Sequence, residues 1–87
     1  MMYRVILQSQ PRRFFAQADR PLAGKLAHGF RILERTPRRH PAIKRLSGPL
    51  AGHARLRTGD YRLIFVVDEA AKRVDVLRIA HRSEAYR

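Results

Sequence analysis

The sequence predicts an α+β domain: a small antiparallel sheet with an N-terminal αα-hairpin packed on one face, in the order β-α-α-β-β-β. Three observations lead there. Leu22, Leu26, Phe30 and Leu33 recur at steps of four, four and three, which is one face of a helix. Gly59-Asp60 stands between two runs of alternating apolar and polar residues, the signal of a two-residue hairpin. The chain has 87 residues and no cysteine, so residues 1–87 form a single domain with one modest core and no disulfides.

The elements follow in order. Tyr3, Val5 and Leu7 alternate with Arg4 and Ile6, which reads as a strand. Ser9 is placed to cap a short helix, with Pro11 in its first turn and Phe14, Phe15 and Ala18 on its apolar side. Asp19 caps a second helix, again with a proline (Pro21) in the first turn, and Thr36-Pro37 ends it. Residues 37–49 read as a proline-bounded loop with one helical turn at Ala42 to Leu46. The last 38 residues read as a meander: His53 to Thr58, Tyr61 to Val67, then Arg73 to Ala80 after the turn at Asp68 to Lys72. His81 to Arg87 is a short tail.

Charge narrows the partner. Nineteen Lys+Arg against seven Asp+Glu give +12, and 16 of the 19 cations are arginine. Repulsion in so compact a body opposes folding, so the excess calls for a counter-charge. Arginine's planar fork matches phosphate bidentately, which points to a polyanion or an acidic protein. The longest mainly apolar stretch, Leu63 to Val67, is far too short for a membrane span. No signal peptide is evident, so the expected compartment is the cytoplasm. No P-loop, GxGxxG, metal-spaced histidine pair or carboxylate cluster is present, so neither a metal nor a small-molecule cofactor is expected.

The hairpin sorts the charges. With Gly59-Asp60 as its loop, Arg57 faces Arg62 and Leu56 faces Leu63. Leu56 and Leu63 then lie on the core side, and Arg55, Arg57 and Arg62 on the other. Like charges directly opposed weaken a ladder, so a phosphate held between the two forks would relieve the conflict. The alternative is that both arginines splay into solvent or meet Asp60 or Glu84. A tail folding back would bring His81, Arg82 and Tyr86 near this patch. Histidine is the side chain suited to moving protons near neutral pH, and Tyr86 offers a hydroxyl and a stacking ring. Lys44 and Arg45, in the acid-free run from Arg35, are further candidates for RNA contact.

Two segments carry a resemblance. Leu46-Ser-Gly-Pro-Leu-Ala-Gly-His-Ala-Arg-Leu-Arg-Thr-Gly-Asp-Tyr-Arg-Leu-Ile-Phe65 and the ending Val76 to Arg87, with His81-Arg82 and Tyr86, resemble the RelE/ParE superfamily of toxins. The resemblance implies a RelE-like fold and a toxin of a type II toxin–antitoxin pair, with a cognate antitoxin as partner. Its RelE-like branch implies an enzyme that cuts mRNA in the ribosomal A site, and its ParE-like branch a non-nuclease that poisons DNA gyrase. Arg55, Arg57, Arg62, His81-Arg82 and Tyr86 place the chain nearer the RelE branch. It departs where some RelE-like toxins carry a further lysine and this chain has His53. The implied chemistry is attack of a ribose 2′-hydroxyl on the adjacent phosphorus. Arg57 and Arg62 would steady the phosphoryl oxygens, and His81 or Tyr86 would move protons, with His53 a substitute candidate for His81. Arg55, Arg82, His53, Lys44 and Arg45 would hold RNA.

Overall fold

The computed structural model describes residues 2–84. Strand β1 (Arg4–Leu7) leads directly into helix α1 (Ser9–Gln17) and helix α2 (Arg20–Arg35). Strand β2 (Ile43–Arg45), a 3₁₀ turn at Gly48–Leu50, and strands β3 (Ala54–Thr58), β4 (Tyr61–Asp68) and β5 (Arg73–His81) follow. The sheet runs β1-β5-β4-β3-β2. The α+β class and the helix pair on one face hold. No helix among the described residues is long and apolar enough to cross a membrane.

Three local expectations change. The first strand pairs in parallel with β5, Val5 opposite Val74 and Leu7 opposite Val76, so the sheet is mixed. The helical turn expected at Ala42 to Leu46 is instead edge strand β2, paired antiparallel with β3. Its charged Lys44 and Arg45 suit an edge that must not recruit another chain. Ser9 is not a cap but the first residue of α1, and the capping position, Gln8, makes no side-chain cap bond. Its backbone N–H still serves the sheet, donating to Val76 O at 3.0 Å, so strand passes into helix without a spacer. Asp19 does cap α2, accepting from the Leu22 N–H at 3.0 Å.

The core lies between the helices and one sheet face. Leu26 and Leu33 meet Leu56, Leu63, Phe65, Val74, Val76 and Ile79, all essentially inaccessible to water. Gly29 lets α2 approach closely: a Cβ there would stand 3.1 Å from Leu56 Cδ2 and 3.5 Å from Leu63 Cδ2. Gly24, on the solvent side of the same helix, has nothing within 4 Å. The two positions should therefore respond with opposite signs. Gly24→Ala should stabilise by about 0.5–1 kcal/mol through helix propensity. Gly29→Val should destabilise by about 1–3 kcal/mol through overpacking. Urea denaturation of the two variants checks both signs.

Side chains finish the ladder where strands run out. β1 ends opposite Val76, and beyond it Gln10 of α1 takes over. Its Nε2 donates to Ile79 O, and its Oε1 accepts from Ile79 N–H, each at 2.8 Å. At the other end of the sheet, Glu69 in the β4–β5 turn gathers Lys72, Tyr3 and Arg38. The Lys72 hydrogen bond first, then those of Tyr3 and Arg38, hold its carboxyl at about 2, below the ordinary 4.5. A folded value below the unfolded one gives stability that is present above about pH 4.5 and lost as the pH falls toward 2. The stability gap between wild type and Glu69→Gln should shrink on acidification from neutral pH. An equal gap at both ends of a pH series of melting curves would contradict this.

Candidate nucleic-acid interface

The β3–β4 hairpin builds the site. Gly59 has φ +60, which the tight turn requires and glycine supplies without strain. The turn sets the register: Thr58 opposite Tyr61, Arg57 opposite Arg62, Leu56 opposite Leu63, Arg55 opposite Ile64. With Leu56 and Leu63 in the core, Arg55, Arg57 and Arg62 face away from the helices. Lys44 pairs with Arg55 and joins them. Arg78 pairs with Ile64 and joins them too. Ile64, at 5% exposure, is the apolar bed under this set.

Arg57 and Arg62 are directly opposed cations in neighbouring strands. Arg55 is partly restrained, its Nη1 donating to Ala42 O at 2.8 Å. Arg62 Nη1 donates to its neighbour's carbonyl, Tyr61 O, at 3.2 Å. Asp60 does not neutralise the pair: its nearest cation is Arg82, Nε to Oδ1 at 4.0 Å. Among the described residues, Lys44, Arg55, Arg57 and Arg62 have no ion pair. The other half of the same sheet face is matched within the protein. There Arg73 meets Asp75 at 3.2 Å and Asp68 at 3.4 Å. On this sheet face Asp68 and Asp75 thus lie at one end, and the strands at the hairpin end carry cations. Lys44, Arg55 and Arg62 border a groove of about 490 Å³, closed by Leu46, Pro49 and Leu50. That volume lies within the range of small-ligand sites.

The other sequence-derived candidates lie elsewhere. His81 pairs with Tyr61, so it sits on the helix side, opposite the arginines. Its ring meets Tyr61 edge-on at 5.6 Å, and Tyr61 in turn meets Phe14 at 5.7 Å. Ser83 N–H donates to His81 Nδ1 at 3.3 Å, leaving Nε2 to carry the proton of the neutral ring. Arg82 is exposed at the hairpin end, its N–H bonded to Asp60 O at 2.7 Å. His53 lines a different cavity, with its Nδ1 buried and unpartnered among the described residues. Arg45 borders both that cavity and the arginine groove. Tyr86 lies outside the described residues. Arg78 was not visible from sequence, because its face depends on a register shift between Ile64 and Phe65.

Residues 7–86 match the family described as ParE toxin of type II toxin-antitoxin system, parDE. Two relatives come from Mycobacterium tuberculosis. Toxin RelG is 38% identical over 88 residues, covering 100% of this chain and 99% of that protein. Toxin RelE is 40% identical over 48 residues, 55% of this chain and only half of that protein's length. In structure, the chain resembles one solved in the toxin–antitoxin complex RelBE2 of the same organism. That match has a TM-score of 0.80 and 34% identity, covering 94% of this chain and all of that one. With a family match across nearly the whole chain and a full-length relative, this protein belongs to the RelE/ParE superfamily of toxins of type II toxin–antitoxin systems.

Proposed function

We propose that this toxin is a ribosome-dependent mRNA endoribonuclease that acts in the cytoplasm and is silenced by a cognate antitoxin. The observation that carries the reading is the directly opposed pair Arg57 and Arg62, neither of which has an ion pair among the described residues, beside a groove of nucleotide size. A scissile phosphate between those forks replaces repulsion with two charge-assisted contacts. The 2′-hydroxyl attacks phosphorus, the bond to the 5′-oxygen breaks, and a cyclic phosphate and a 5′-hydroxyl result. The arginines neutralise charge that grows on the phosphoryl oxygens in the transition state. Arg55, Lys44 and Arg45 hold the flanking RNA backbone, with Arg78 added by the register, and Arg82 extends the basic surface at the hairpin end. His53, set apart in its own cavity, reaches RNA only outside this groove.

In this reading His81 moves a proton, and Tyr86 either shares that role or stacks on the neighbouring base. His81 reaches substrate only where RNA passes over the hairpin end, since its ring is on the other pleat. His81→Gln should then lower single-turnover cleavage on programmed ribosomes. Tyr86→Phe keeps the ring and removes the hydroxyl. Retained activity in Phe but not in Ala assigns Tyr86 to stacking, and loss in both assigns it a proton. The relative in complex with an antitoxin supports the antitoxin partner. Expression of the toxin alone tests the whole reading: labelled methionine incorporation should fall first. Unchanged translation with failing DNA supercoiling would replace the nuclease with a gyrase poison.

A further inference from the structure

Strand β4 outruns its partner. β3 pairs with it only as far as Ala54 opposite Phe65, while β4 continues against β5 to Asp68. Backbone bonding alternates along an antiparallel ladder, and the pair flanking the two-residue turn, Thr58 and Tyr61, is a bonded one. Leu63 and Phe65 therefore aim their N–H and C=O at β3. Val67 aims its own in the same direction, where β3 has already ended. Among the described residues, no backbone bond joins Val67 to the segment that faces it across the gap.

The gap is a cavity of about 660 Å³. Ile43, Ala54 and Val67 give it apolar walls, and Arg38, Arg39 and Arg45 stand on it. Arg38 is committed to Glu69 at 2.8 Å. Arg39 and Arg45 have no ion pair among the described residues. His53 lines the same space, and its buried Nδ1 lacks a partner among them. An open strand edge, two unmatched guanidinium groups and an orphaned ring nitrogen thus converge on one slot.

We propose that the slot receives an extended acidic segment of the antitoxin, added as a short strand beside Val67. This rests on the antitoxin reading above and adds a place and a conformation to it. A peptide offers both an acceptor for the Val67 N–H and a donor for its C=O, whereas a phosphate offers no donor for that carbonyl. Carboxylates of the segment meet Arg39 and Arg45, its apolar side chains meet Ile43 and Ala54, and a polar group satisfies His53. The slot is separate from the arginine face, though Arg45 and Leu46 border both.

Amide hydrogen exchange on the toxin, free and in complex with its cognate antitoxin, tests the assignment. An Arg62→Ala background permits expression of the free form. In the complex, exchange at Val67 should slow by about tenfold or more. Arg39→Glu should weaken the complex by about tenfold, while Arg12→Glu, the same charge change on exposed α1, should not. A complex in which Val67 exchanges as in the free toxin overturns the slot but leaves the antitoxin reading standing. Failure to form any complex overturns both. Protection of Val67 by an RNA oligonucleotide alone assigns the slot to nucleic acid and overturns it equally.

Discussion

Arg62→Ala is expected to lose about 10²–10³-fold in single-turnover mRNA cleavage, the usual cost of removing one preorganised donor from a developing oxyanion. The loss should fall on the chemical step more than on binding, because charge on the phosphoryl oxygens grows toward the transition state. The same variant should not lose stability. It removes one of two opposed cations, Arg57 and Arg62, and like charges across a ladder cost about 0.2–1 kcal/mol. Among the described residues the Arg62 side chain donates to the carbonyl of its own neighbour, so no side-chain hydrogen bond between elements is lost. The signature is an inactive toxin with an unchanged or higher melting temperature that still binds antitoxin. A melting temperature several degrees lower would mean that the pair serves the fold.

Gln10→Ala should have the largest effect on stability outside the apolar core. The side chain satisfies both the N–H and the C=O of Ile79, whose own exposure is 1%. Leaving a buried polar group unpaired costs about 1–3 kcal/mol, so two such groups give a loss of about 2–4 kcal/mol after partial relaxation. For a domain of this size that is a fall in melting temperature of roughly 10–25 °C. Gln10→Glu separates the two bonds, since a carboxylate accepts from the N–H but cannot donate to the C=O. It should fall between wild type and Ala at neutral pH. Thermal melts of the three proteins check the order.

The arginine face was legible because a two-residue turn fixes its own register. Once Gly59-Asp60 is the loop, Arg57 must face Arg62, and burial of Leu56 and Leu63 decides which side is which. Both helices were legible for a similar reason, as short-range periodicity and the Asp19 cap are local. What escaped depends on distant partners. Ile43-Lys44-Arg45 carries no alternating apolar pattern, and it is a strand only because β3 leaves an open edge there. The parallel pairing of β1 with β5 joins residues nearly 70 positions apart.

Strand β5 holds the most instructive miss. Plain alternation from Val74 and Val76 would carry Arg78 and Ala80 to the core side. The shift in register leaves Leu77 as an extra residue, so Arg78 and Ala80 turn to the arginine face and Ile79 and His81 to the helices. A one-residue irregularity therefore adds Arg78 to the basic cluster and places His81 against Tyr61. Nothing in the local composition marks it.

The most direct test of the nuclease claim is primer extension on a defined mRNA translated in vitro with the purified toxin. The account predicts new 5′ ends within the A-site codon of stalled ribosomes. They should be absent when ribosomes are withheld and lost with Arg62→Ala. Intact mRNA under active, toxin-treated translation would contradict it.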